Sequence, residues 1–211
     1  MRAPRITMYI GLPGSGKSTQ RERFIAENPD ALILSSDDVV TAYARENGIT
    51  YSQAMALTDS ATIHRLLYML LDEAVKENRD ILVDQVNMSK KRRHKFLCRV
   101  PGHYERIAVV FPIHRLVLAR RLALREAKTG KRIPWYVVEQ FRTTYDPPTD
   151  NLDLTLPHPK GARPEFTRIV TIQGEKPTWR ELIRGLPYEV RAWWASRAEK
   201  RRSRKNRLAS F

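Results

Sequence analysis

A glycine-rich run, Gly11-Leu12-Pro13-Gly14-Ser15-Gly16-Lys17-Ser18-Thr19, follows directly on the apolar stretch Arg5 to Ile10. It matches G-x-x-x-x-G-K-[ST] in full, and the strand before it and helix after it give the pattern its meaning. Glycines at these positions let backbone N–H groups turn inward on a phosphate that a side chain would block. The implied chemistry is binding of ATP or another nucleoside triphosphate by Gly11, Pro13, Gly14, Ser15, Gly16, Lys17, Ser18 and Thr19. Lys17 would neutralise charge between the β- and γ-phosphates, and Ser18 would ligate Mg2+.

What becomes of the γ-phosphate depends on the polar groups that follow. In "LSSDD", Asp37 and Asp38 lie where a second strand meets the cleft. A carboxylate there can take the proton of an attacking hydroxyl. Asp37 is the better candidate base, and Asp38 is divided between that role and capping the next helix. Asp84 closes the apolar strand "DILVD", a place for a carboxylate that orients Mg2+ or its waters. Asn87 either positions substrate or the loop, or bonds its own backbone in a turn. Lys90, Lys91, Arg92, Arg93 and Lys95 gather on the helix beyond, as a solvated face or a grip on a phosphate backbone. In "HRLVLARRLALREAKTGKR", Arg121 and Arg125 are four apart and share a face, so both can reach one phosphate chain. Arg120, Lys128 and Arg132 are the other basic residues of this lid-like segment. The histidines and the single Cys98 form no ligand-like cluster, and His64 reads as structural.

The elements that must hold these residues alternate. Strands are expected at Arg5 to Ile10, "ALILS", "DILVD", "YERIAVVF" and "FTRIVTI". Helices are expected from Lys17 to Asn28, from Asp38 to Asn47, through "YSQAMALTDSATIHRLLYMLLDEAVKEN" as one long helix, and over "SKKRRHKFLCRV", Arg115 to Lys128 and "WYVVEQFRTTY". That alternation predicts an α/β fold of P-loop NTPase type, a parallel sheet flanked by helices with ligands at the carboxyl ends of its strands. Asp146 to Pro164 holds five prolines and reads as a loop or ordered arm. The expected organisation is a kinase domain over 1–176, its lid at about 114–133, and a basic helical appendage over 177–211.

At 211 residues and 42% apolar content, one domain with a real core is expected. The net charge of +15 predicts an anionic partner. From Arg191 to Phe211 eight lysines and arginines face a single acid. Arg201, Arg202, Arg204 and Lys205 are candidate nucleic-acid contacts there, together with Asn87, Lys91, Arg92 and Arg93. Trp193-Trp194 either dock the last helix or stack on bases. One cysteine implies no oxidising compartment. No apolar stretch reaches the length of a membrane span. The basic, briefly apolar N-terminus runs straight into the phosphate loop and is not read as a targeting signal. The expected address is the cytoplasm, that of the host if a bacteriophage encodes the chain.

From Ile6 to Tyr145 the chain resembles the polynucleotide kinase branch of P-loop kinases, through "GLPGSGKST", "SSDD", "VDQVN" with "KKRR", and the arginine segment ending "KTGKRIP". The resemblance implies ATP-dependent transfer to a nucleic-acid hydroxyl. Asp37 then matches the family's general base, Lys17 and Ser18 its phosphate and magnesium residues, and Asp84 its acid after the third strand. Where the bacteriophage end-healing enzyme has an arginine that holds the phosphate beside the reacting nucleotide, this chain has Val40. Similar loops occur in bacteriophage kinases acting on 5-hydroxymethyluracil within DNA, and a 5′-hydroxyl and a base hydroxymethyl group are both primary alcohols. The two acceptors stand level, with DNA ahead of RNA as the polymer. Other readings are a small-molecule or toxin-type kinase, and a non-enzymatic RNA-binding scaffold like the kinase-like domain of the heterogeneous nuclear ribonucleoprotein U group.

Overall fold

The computed structural model describes residues 2–130, 132–150 and 164–178. Strands β1 (Arg5–Ile10), β2 (Leu32–Leu34), β3 (Ile81–Val83), β4 (Glu105–Val110) and β5 (Arg168–Thr171) form one parallel sheet in the order β2-β3-β1-β4-β5. β1 lies at its centre, pairing Met8 with Val83 on one side and Met8 with Ala108 on the other. Its side chains alternate between two cores, as strand geometry requires. Ile6, Met8 and Ile10 join Ile81 and Val83 in the larger core, while Tyr9 and Leu82 meet Phe111 on the opposite face. Burial on both faces explains why these strands read as continuous apolar runs.

Helix α1 (Lys17–Glu27) sends Phe24 to the smaller core. The larger core takes Val40 and Ala44 of α2 (Ser36–Glu46), Ala54 of α3 (Tyr51–Leu57), and Leu67 and Leu71 of α4 (Ser60–Lys76). It also takes Phe96 and Leu97 of α5 (Lys90–Leu97), Leu118 of α6 (Arg115–Thr129) and Val138 of α7 (Trp135–Thr143). Among the described residues no helix is long and apolar enough to cross a membrane.

The expected long helix over residues 51–78 is two helices. The first ends at Thr58, and Asp59 caps the second, its carboxylate accepting from the Thr62 amide at 3.0 Å. A short polar side chain offers the backbone this alternative to a continuing helix. α2 begins at Ser36, ahead of the expected Asp38, so Asp37 and Asp38 both lie in its first turn. Residues 151–163 and the basic tail, with Trp193-Trp194, Arg201, Arg202, Arg204 and Lys205, lie outside the described residues.

Candidate active site

The central strand delivers the phosphate loop to the middle of the sheet's carboxyl edge. The Gly11 amide donates to the Val86 carbonyl at 3.1 Å, tying the loop to the exit of β3. A Cβ on Gly11 would stand 2.7 Å from Ser15 Oγ and 2.8 Å from Phe111 Cβ, so only glycine fits. Pro13 and Gly14 make the turn, closed by the Ser15 amide on the Leu12 carbonyl at 3.1 Å. Gly16, at φ 105°, takes the left-handed conformation that leads into α1. Lys17 folds back over the loop, its Nζ donating to the Gly11 carbonyl at 2.8 Å and the Leu12 carbonyl at 2.9 Å. Burial pushes its pKa down to about 8 against the pull of Asp84 and Asp37, and Arg125 adds to the fall. Ser15 Oγ is buried and has no hydrogen-bond partner among the described residues, while Ser18 and Thr19 are exposed on the first turn of α1. A cavity of about 260 Å³ opens beside them, lined by Gly16, Thr19, Phe111, Pro112, Arg121 and Gln173 among others.

The two adjacent aspartates have different partners. Ser35, not Asp38, caps α2: its Oγ accepts from the Asp38 amide at 3.3 Å. The Asp38 carboxylate is gripped at both oxygens by the Arg21 guanidinium, with Nη1 donating to Oδ1 at 2.9 Å. Arg21 Nη1 also stands 3.6 Å from Asp84 Oδ2. Asp37 instead accepts a hydrogen bond from the Tyr51 hydroxyl, Oη to Oδ1 at 2.7 Å. Burial raises the pKa of Asp84; Lys17 and Arg21 hold it back, and Asp38 and Asp37 push it further up. The Asp84 carboxylate and the exposed Ser18 hydroxyl offer oxygen donors alone. That suits Mg2+, which takes one or two protein oxygens and completes its shell with phosphates and water.

The arginine helix closes the other wall. Arg121 Nη1 donates to the Gly14 carbonyl at 3.2 Å and Nη2 to Glu175 Oε2 at 3.0 Å, while Arg120 takes the other oxygen of the same carboxylate. These bonds, Arg120 first, hold the Glu175 carboxyl below its ordinary pKa. Arg125 lies near enough for its charge to act on both Lys17 and Tyr51. Lys128 is exposed, and Arg132 lies 3.7 Å from Glu126.

A match to the AAA domain family spans residues 6–148.

The chain belongs to that family.

Solved structures with the same P-loop kinase-like fold surround it. A putative kinase from Chloroflexus aurantiacus is 17% identical at a TM-score of 0.56, covering 95% of this chain and 98% of its own. A chain of the Pnkp1/Rnl/Hen1 RNA repair complex is 21% identical at 0.53, over 68% of this chain. The present chain covers 44% of the length of that repair protein. A fungal RNA kinase is 13% identical at 0.50, covering 95% of this chain and 99% of its own.

Two expected nucleic-acid contacts of this AAA domain are corrected by burial. Asn87 is 1% exposed, sits at φ 48°, and its Nδ2 donates to the Tyr9 carbonyl at 2.9 Å and the Val83 carbonyl at 3.2 Å. It stitches the ends of β1 and β3, using the left-handed conformation that asparagine tolerates. Arg93 is fully buried, paired with Glu165 and donating to the carbonyls of Asn87, Met88 and Asp146. Lys91 and Arg92 on the same helix are exposed. Val40, where the resemblance placed a phosphate-holding arginine, is fully buried in the core.

Arg21, Tyr51 and Glu175 are site residues that sequence reasoning missed. Arg21 was legible, since it lies four residues after Lys17 and therefore on the same face of α1. Tyr51 and Glu175 reach the site only through the tertiary fold.

Proposed function

We propose that this AAA domain is an ATP-dependent kinase that transfers the γ-phosphate to a hydroxyl of a nucleic acid. The observation that carries the reading is the contrast between the two aspartates. Asp38 is paired at both oxygens with a guanidinium, whereas Asp37, among the described residues, meets a phenol and forms no ion pair, and it lies close enough to act on Lys17. A carboxylate beside the phosphate loop that is not tied up in an ion pair is what a kinase needs to accept the proton of an attacking alcohol.

In the transfer, the acceptor oxygen bonds to the γ-phosphorus as the bond to the β-bridging oxygen breaks. ADP departs, and the hydroxyl proton passes to Asp37. Lys17 stays on the β- and γ-oxygens, and Arg121 and Arg125 answer the charge that develops on them. Ser18 and Asp84 would hold Mg2+, which when bound neutralises charge across the β- and γ-phosphates.

The polymer acceptor is supported by the net charge of +15 and by Lys91 and Arg92, exposed on one helix. Two of the similar structures carry RNA repair and RNA kinase in their names. The expectation of DNA ahead of RNA finds no support in those names, so both polymers enter the test. Val40 favours a second acceptor, a hydroxymethyl group on a base within DNA, because a core side chain offers no cation to a phosphate at a 5′ end.

The deciding experiment is transfer from γ-labelled ATP to 5′-hydroxyl DNA and RNA oligonucleotides, and to 5′-phosphorylated DNA containing 5-hydroxymethyluracil. Unmodified 5′-phosphorylated DNA serves as control. Label on one of the two acceptors is expected: on the 5′-hydroxyl strands it makes the acceptor a polymer end, and on the end-blocked modified strand alone it makes the acceptor the base. No label on any polymer, with nucleotide still bound, overturns the reading.

A further inference from the structure

The proton acceptor proposed above has a partner that the phosphate-loop motif does not foresee. Tyr51 is the first residue of α3, fourteen positions after Asp37, and its hydroxyl meets Oδ1 of that aspartate at 2.7 Å. Both residues sit in first helical turns, and both turns are fixed by contacts independent of the bond between them.

On the Asp37 side, α2 is seated by Val40 and Ala44 in the core and capped by Ser35. The Asp37 carbonyl accepts from Thr41 Oγ1 at 2.7 Å, so its backbone is held as well. On the Tyr51 side, Gly48 turns the chain at φ 63° and the Ile49 amide returns to the Ala44 carbonyl at 3.0 Å. A reciprocal cap then starts α3: the Gln53 amide donates to Thr50 Oγ1 at 3.3 Å, and the Thr50 amide donates to Gln53 Oε1 at 2.9 Å. Ala54, fully buried, seats that helix on the core. The phenol is therefore presented to the carboxylate by two fixed elements.

We infer that Tyr51 is a positioning residue for the transfer reaction: its hydroxyl occupies Oδ1 of Asp37 and so leaves Oδ2 as the oxygen that receives the acceptor's proton. This rests on Asp37 being the base. Among the described residues no hydrogen bond reaches Oδ2.

The choice of a phenol has a chemical reason. A cation in contact would orient a carboxylate but also make it a poorer base. A neutral hydroxyl orients at a smaller cost in basicity. The charged groups around the pair are Lys17 and Arg21 from the phosphate-loop helix, Asp84 from the end of β3, Asp38 from α2 itself and Arg125 from the arginine helix. Burial and the bond to Asp37 raise the Tyr51 pKa, and Arg125 opposes this, so the hydroxyl remains a donor across the working pH range.

The test is steady-state transfer by Tyr51→Phe, Asp37→Asn and the double variant, in the full chain, with nucleotide affinity measured beside it. An oriented general base contributes roughly a hundredfold or more, so loss of orientation in Tyr51→Phe is expected to lower kcat about tenfold with the KM for ATP unchanged. In the Asp37→Asn background the same change is expected to add nothing. A Tyr51→Phe protein that keeps full kcat, while Asp37→Asn loses it, overturns the role of Tyr51 and leaves the base in place. An equal loss in both backgrounds also overturns it, because Tyr51 would then act independently of Asp37. If Asp37→Asn retains full transfer, the assignment of the base itself fails.

Discussion

Arg93 donates to Glu165 at 2.7 and 3.0 Å with its side chain wholly shielded from solvent, joining α5 to the approach of β5 across 72 residues of chain. The same guanidinium serves three backbone carbonyls. Arg93→Ala would strand the Glu165 charge, and breaking a buried pair on one side costs about 3–5 kcal/mol. The expected outcome is a large drop in the urea midpoint.

Its neighbours on α5 should behave in the opposite way. Lys91→Ala and Arg92→Ala are expected to leave the urea midpoint in place. Each should reduce the salt dependence of nucleic-acid binding by roughly one phosphate contact, a slope change of about 0.9. Unchanged slopes for both would remove α5 from the interface.

The aspartates should separate cleanly by substitution. Asp37→Asn is expected to lose roughly 10²–10⁴ of transfer with ATP affinity intact, the usual contribution of a general base. Asp38→Asn is expected to keep most of its kcat and to require more Mg2+. Arg21, released from Asp38, would turn to Asp84, 3.6 Å away. Magnesium titrations of both variants, with transfer as the readout, check this.

Lys17 makes nucleotide affinity depend on pH. In the free protein burial brings its pKa to about 8, and bound phosphates would favour the ammonium. The bound form therefore holds its proton to higher pH. Affinity is expected to be flat below pH 8 and to weaken above it by up to about tenfold per unit, since binding must then take up a proton. Calorimetry at pH 9 in buffers of different ionisation enthalpy measures that proton directly; no uptake would contradict the prediction.

The two arginines of α6 are expected to fail differently. Arg121 braces the loop through the Gly14 carbonyl and is itself held by Glu175, so Arg121→Ala should mainly raise the KM for ATP. Among the described residues Arg125 has no such bond, and its charge acts on Lys17 and Tyr51, so Arg125→Ala should lower kcat, by roughly 10²-fold if it stabilises transition-state charge. Initial rates over a range of ATP concentration separate the effects.

What the sequence made legible were the features fixed by local rules. The phosphate loop needs glycine where a Cβ would strike Ser15 and Phe111, and that need is written in the chain itself. The inner strands β1 and β3 were readable because two-sided burial leaves uninterrupted apolar runs. The break at Asp59 was missed although its side chain encodes it, because helical periodicity continues across the cap. Arg93 was misread for a different reason. Within a run of basic residues, composition cannot say which one turns inward, and the glutamate that receives it lies far along the chain. Tyr51 and Glu175 carry no motif at all; they become part of the site only when the sheet brings distant segments to one edge.

Lys17 donates two hydrogen bonds to its own loop. Its ammonium, seated on the carbonyls of Gly11 and Leu12, braces the loop from within. Ligand capture is thus a competition, in which an incoming anion must draw the lysine away from its own chain. A short anion that touches few backbone amides has little with which to compete. A triphosphate, spread along the whole loop, has much more, so the lysine acts as a doorkeeper that admits by reach and turns away small anions common in any cell.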